Sequence, residues 1–197
     1  VICRLMTDRK PLPGKLAFSR DLFVLLFLLR GMPFVDLAFL RRCDLQGNVI
    51  TYHRRKTSRK LTVVVGKEAM EIIQKYMYAI PDSPYLFPII QNPGKDEYGQ
   101  YARMLRLQNY RLTQVANILG IRDRLSTYTA RHTWATTALR QNYNSSLICD
   151  AMGHSSVKVT ETYFQPYRDD EVNRMNSSLI TYILSKKKRG TDKKIRS

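Results

Sequence analysis

Two short runs in this 197-residue chain read as β-strands, Val49-Ile50-Thr51-Tyr52-His53 and Leu61-Thr62-Val63-Val64-Val65. β-Branched and aromatic side chains suit a pleated, half-buried surface. The runs bracket Arg54-Arg55-Lys56-Thr57-Ser58-Arg59-Lys60, which makes the pair a hairpin with five cations at its tip. Elsewhere the apolar residues recur at helical spacing. The expected class is therefore mainly α with a small antiparallel β-hairpin sheet (α+β).

Dense apolar content from Leu16 to Leu29 predicts a helix that Gly31 and Pro33 stop. A short helix from Phe34 to Leu40 would turn Val35, Leu37, Ala38 and Leu40 inward. Lys67 to Met77 places Met70, Ile73 and Met77 on one helical face. Tyr98 to Leu119 is helix-periodic and closes on Gly120, with Arg103, Arg106 and Arg111 on its wetter side. Further helices are expected from Ala130 to Gln141, from Leu147 to Met152, and from Glu171 to Leu184, the last with a stripe of Val172, Met175, Leu179 and Ile183. Pro81, Pro84, Pro88 and Asn92-Pro93-Gly94 impose an irregular link, yet neither side of it holds a complete site alone. Residues 1 to 15, with Pro11, Pro13 and Gly14, read as an extended lead-in from a longer polypeptide.

The formal charge of +17 points to a polyanionic partner, with nucleic acid ahead of a membrane surface. The stretch 186–197 holds seven Lys or Arg against Asp192, so most of the excess lies elsewhere in the chain. That basic tail reads as disordered when free, adding salt-sensitive affinity that ignores sequence. Cys3, Cys43 and Cys149 are widely spaced and odd in number, which suits neither a disulfide framework nor a zinc site. The longest apolar run, Leu22 to Leu29, is far short of the roughly 20 residues of a membrane span. These features indicate a soluble intracellular protein.

The chemistry concentrates between Thr127 and Tyr163. Tyr128-Thr129-Ala130-Arg131 supplies an aromatic hydroxyl and an arginine; Gly153-His154 follows the arginine by 23 residues, and Tyr163 follows the histidine by nine. A fixed cation, an imidazole and a hydroxyl nucleophile are what phosphodiester cleavage requires. A guanidinium stays charged and forks onto two phosphate oxygens at once. A tyrosine with an ordinary pKa of ~10 needs an electropositive site before it attacks.

Arg131-His132-Thr133-Trp134-Ala135, Met152-Gly153-His154-Ser155-Ser156 and Thr160-Glu161-Thr162-Tyr163 resemble, in order and spacing, the catalytic boxes of the tyrosine recombinases, the lambda-integrase-like family. The resemblance implies that family's catalytic-domain fold over 16–185, preceded in the full polypeptide by a DNA-binding region. It implies site-specific recombination of double-stranded DNA, as integration, excision or inversion of a mobile segment, through a 3′-phosphotyrosine intermediate without cofactor or metal. Alternatives are a type IB topoisomerase and a DNA-binding module whose site has decayed. Carried onto this chain, Tyr163 is the nucleophile with Tyr167 as the alternative, Arg131 and His154 hold the phosphate, and Lys56 protonates the leaving oxygen with Lys60 and Arg55 in reserve. Arg54, Arg55, Arg59 and Lys60 are candidates for DNA contact.

The chain departs from the family pattern twice. Tyr128 stands where histidine is usual, leaving a phenolic donor in place of a general base. Aligning Gly31 and Asp36 with the family's G-x-R-x-x-E-L puts Pro33 at the position of the first arginine, and Arg30, three residues earlier, takes the role of first catalytic arginine, holding the phosphate with Arg131 and His154. His132 is expected inside the core and His53 at the hairpin surface. The resemblance further implies a homotetramer on DNA, joined through the helix at 171–184, and a cytoplasmic protein associated with the bacterial nucleoid.

Overall fold

The structure, a computed structural model, describes residues 1–8, 10–163 and 173–181. Val1–Tyr163 is one compact unit; a second, Phe164–Ser197, contains the helical residues 173–181. Of the expected apolar stripe, Met175 and Leu179 are exposed, while Val172 and Ile183 lie outside the described residues, as do Tyr167 and the basic tail.

Helices α1 (Ile2–Thr7), α2 (Gly14–Leu28), α3 (Phe34–Ala38), α4 (Lys67–Tyr76), α5 (Glu97–Leu119) and α6 (Thr127–Arg140) surround one main core. Helix α2 is apolar nearly all round because it is the centre: α1, α4, α5 and α6 all pack on it, and Leu22, Phe23, Leu25 and Leu26 are fully buried. It ends at Arg30 and Gly31, both left-handed at φ 60° and 66°, and Pro33 then breaks the helical ladder. Gly31 has a second reason to lack a side chain, since a Cβ there would lie 3.1 Å from the Arg131 Cα.

The first fifteen residues are not extended throughout, because α1 forms and buries Leu5 against the core. Six helical residues are too few to show a period in the sequence, and tertiary packing stabilises them. The proline-rich link is interior as well: Leu86, Phe87, Ile89 and Ile90 are buried.

Strands β1 (Leu45–Gln46), β2 (Val49–His53) and β3 (Lys60–Val64) form an antiparallel sheet in that order, so the expected hairpin gains a third, two-residue strand. Val49 pairs with Val64 and His53 with Lys60, which turns Ile50, Tyr52, Leu61 and Val63 to the core. His53 is exposed, as expected. The tip is closed by the Arg54 N–H on the Arg59 carbonyl at 2.9 Å and the Ser58 N–H on the Arg54 carbonyl at 2.8 Å.

Helix α6 starts earlier than the sequence suggests, because Ser126 and Thr129 cap it reciprocally. Helix α7 (Ser145–Met152) is capped by Asn144 and closed by Gly153 at φ 64°, and α8 (Val157–Glu161) leads to Tyr163. Ala135, Ile148, Met152 and Tyr163 make a second small core flanked by Trp134, Ala138 and Leu139. No helix among the described residues is long and apolar enough to cross a membrane.

Candidate active site

The site forms where the N-terminal part of α6, the Gly153-His154 turn and the segment after α8 meet the hairpin tip. Arg131 is buried, and both arms of its fork are held: Nη1 donates to the Gly31 carbonyl at 2.5 Å and Nη2 to the Met152 carbonyl at 2.9 Å. The same Nη2 lies 2.6 Å from His154 Nε2. A guanidinium has no acceptor, so Nε2 accepts, and Nδ1 carries the proton that it donates to Thr160 Oγ1 at 2.8 Å. His154 is thereby a neutral imidazole of one tautomer. Burial and the charges of Arg131, Arg54 and Lys56 agree, holding its pKa down at about 4.

Tyr163 is buried with its ring parallel to that of His154, at 5.9 Å between centroids and 4° between planes. The Tyr128 hydroxyl donates to the Tyr163 oxygen at 3.4 Å, although the Tyr128 ring is largely exposed. Burial pushes the Tyr163 phenol up to about 12, against the pull of the Arg131 charge and of its hydrogen bond. The resting phenol is therefore protonated at neutral pH. His132 is exposed and not in the core, with its ring 5.2 Å from that of Tyr163. The reason is helical phase: Arg131 takes the inward direction, and the next residue points about 100° away from it.

The hairpin contributes more than a charged tip. Arg54, Thr57 and Arg59 donate to the carbonyls of Met152, Gly153 and His154 at 2.6, 3.3 and 3.2 Å, so the hairpin clamps the turn that presents the imidazole. Arg59 also pairs with Asp150 at 3.0 Å. Arg54 is buried, with Nε 2.9 Å from Asp36 Oδ2 but without the alignment of a hydrogen bond. Asp36 accepts instead from the Arg55 N–H at 2.9 Å; burial raises its pKa against this bond and against the charges of Arg54, Arg131 and Arg55. The Arg55 guanidinium stacks 3.8 Å over Phe39. Lys56 and Lys60 are exposed, and the Lys56 charge acts on His154. Arg30 donates to the Thr62 carbonyl at 3.2 Å.

Of the residues singled out in the sequence, Arg131, His154, Tyr163 and Tyr128 are brought together, with Lys56 within electrostatic reach. Arg54 lies in the interior beside them, a placement its cluster of five cations hides. The signal existed: Ile50, Tyr52 and Arg54 share the inward face of an alternating strand. Nothing in the spacing announces Thr160 as the partner of the imidazole. Among the described residues no cluster of His, Cys, Asp or Glu could hold a metal ion.

A buried phenol, imidazole and guanidinium thus lie around one turn, framed by helices and a small antiparallel sheet. The sequence profile described as "Phage integrase family" matches residues 3–169, and the chain belongs to that family. It is 26% identical to the tyrosine recombinase XerC of Thermodesulfovibrio yellowstonii over 78% of this chain and 52% of that protein. In fold it resembles the XerA recombinase, at a TM-score of 0.63 and 20% identity over 90% of this chain and 60% of that one. It also resembles the XerH site-specific recombinase bound to its difH substrate before cleavage, at 0.61 and 16% over 89% and 51%. The chain spans about half the length of the XerC protein it matches.

Proposed function

We propose that this chain is the catalytic domain of a site-specific DNA recombinase, acting on double-stranded DNA for integration, excision or inversion. The observation that carries the reading is the single cluster of Tyr163, Arg131 and His154, in one unit of the chain. In the proposed cycle the Tyr163 oxygen attacks the scissile phosphorus and its proton is released to solvent. The bond to the 5′-oxygen breaks, Lys56 gives that oxygen a proton, and the 3′-phosphate stays on Tyr163. Rejoining is the same exchange reversed with a 5′-hydroxyl of another strand, so the bond energy is conserved. Arg131 binds nonbridging oxygens and stabilises the charge that builds on them; Tyr128 donates to one of them. His154 donates to the phosphate once that anion favours its protonated form.

Arg30 is the weaker assignment for a second guanidinium, since it stands three residues before the family's arginine position; its Nη1 donates to the Thr62 carbonyl. Arg55, Arg59 and Lys60 remain candidates for DNA backbone contacts around the tip. The helix containing exposed Met175, Leu179 and Ile180 suits docking onto another protomer in a tetramer on DNA. The bacterial relative favours action in the cytoplasm, at the nucleoid.

The test is covalent trapping on a library of nicked suicide duplexes with randomised cores. Wild type forms an adduct stable to denaturation, and Tyr163→Phe binds the same duplexes without one. An adduct that persists in Tyr163→Phe removes the nucleophile assignment. Binding by wild type with no adduct on any duplex leaves only a DNA-binding module.

A further inference from the structure

Arg54 is a buried cation that the proposed cycle does not use. Taking a guanidinium out of water is costly unless each donor finds a partner. Its Nη1 donates to the Met152 carbonyl at 2.6 Å, and more distantly to that of Gly153 at 3.4 Å. Its Nε meets Asp36 off-axis, and its Nη2 has no hydrogen bond among the described residues. The Met152 carbonyl is also the acceptor for Arg131 Nη2, at 2.9 Å. Two guanidinium heads therefore converge on a single oxygen, with His154 Nε2 beside one of them. Like charges this close repel, and a lone carboxylate offsets them incompletely. The arrangement favours an anion with several oxygens.

The neighbouring sequence leaves such a place open. Pro33 stands where the family's first arginine aligns and offers no donor, and Arg30 turns Nη1 to the Thr62 carbonyl of β3. Asp36, one turn after Pro33 on α3, reaches Arg54 across the fold and fixes the side chain from that side. Strand alternation fixes it from the other, because Arg54 continues the inward row of Ile50 and Tyr52. We infer that Arg54 is the second guanidinium of the scissile-phosphate pocket, gripping the phosphate together with Arg131 in the role that Pro33 cannot fill. Two forks then cover the nonbridging oxygens from two elements, α6 and the hairpin. The inference rests on the recombinase reading above.

The experiment compares two trapped duplexes, one with an ordinary scissile phosphate and one with an uncharged methylphosphonate there. A cation that neutralises the phosphate matters less once the charge is gone. Arg54→Ala should lose about a hundredfold or more in adduct formation on phosphate and recover to within about tenfold of wild type on methylphosphonate. Arg30→Ala should stay within about tenfold of wild type on both. If Arg54→Ala does not fold, Asp36→Asn with Arg54→Gln removes both charges together and is measured the same way.

Equal loss on both duplexes would reduce Arg54 to a structural part, and the inference would fail. Loss and rescue in Arg30→Ala instead would give the role to Arg30. Arg54 variants that cleave phosphate like wild type would overturn the inference while leaving the recombinase reading intact. Wild type without any adduct would sink that reading itself.

Discussion

His154 Nε2 accepts a hydrogen bond from Arg131 Nη2 at 2.6 Å, so the imidazole and the guanidinium of the site are coupled within the folded chain itself. The bond makes a protonated His154 unfavourable, because its Nε2 proton would then face a cation. Donation from that nitrogen to a phosphate requires the phosphate to enter between them or to displace Arg131. DNA and the proton should therefore bind cooperatively.

That coupling gives the fold a pH slope of known sign. The unfolded chain takes up the His154 proton near the ordinary value of 6.5, whereas the folded chain resists until about 4. Stability from this group is complete above 6.5, falls as pH drops between the two values, and levels off below about 4. The loss should be on the order of 3 kcal/mol. Urea unfolding at several pH values should show a steeper acid loss for wild type than for His154→Gln. Equal slopes would contradict the buried neutral imidazole.

Tyr128 acts through one hydroxyl. Removing it in Tyr128→Phe takes away a hydrogen bond of about 1 kcal/mol, so adduct formation should slow by no more than about tenfold. A loss near that of Tyr163→Phe would make Tyr128 a proton-transfer group instead of a donor to the phosphate.

Lys56 has a chemical bypass. Replacing the 5′-bridging oxygen of the scissile phosphate with sulfur gives a leaving group that departs as a thiolate without needing a proton. Lys56→Ala should cut the oxygen substrate about 10²–10⁴-fold more slowly and the sulfur substrate at close to the wild-type rate. Equal defects on both would pass the general-acid role to Lys60 or Arg55, whose alanine variants then receive the same comparison.

Gly153 is held at φ 64°, and a Cβ there would meet Leu61 Cδ1 at 2.8 Å and Arg54 Cγ at 3.1 Å. Gly153→Ala combines backbone strain with a clash at the hairpin clamp and should destabilise by about 1–3 kcal/mol. It should also slow adduct formation, since the His154 turn and Arg54 would move apart. Chemical denaturation together with trapping distinguishes this from Gly47→Ala, where φ is 60° but no atom lies within 4 Å.

Local chemistry made much of the molecule readable in advance. The helix stop at Gly31 and Pro33, the cap at Gly120 and the alternation in β2 and β3 are properties of a few neighbouring residues, and each stands where the sequence puts it. Helix α1 and strand β1 were not readable, because six and two residues are too few to carry a period. The inward placement of His132 failed for a different reason: on one helix turn only one of two adjacent side chains faces the pocket, and Arg131 holds that direction.

The sequence by itself determined the kinds of groups at the site and their order: an arginine in a helix, an imidazole after a glycine stop, a phenol nine residues later. Only the tertiary structure decided which of the five hairpin cations is buried and what it meets. Arg54 and the Met152 carbonyl are 98 residues apart in the chain, and Arg54 and Asp36 belong to different elements. Backbone preferences act over a few residues, whereas the partner of a buried charge is fixed by which surfaces the packed core brings face to face.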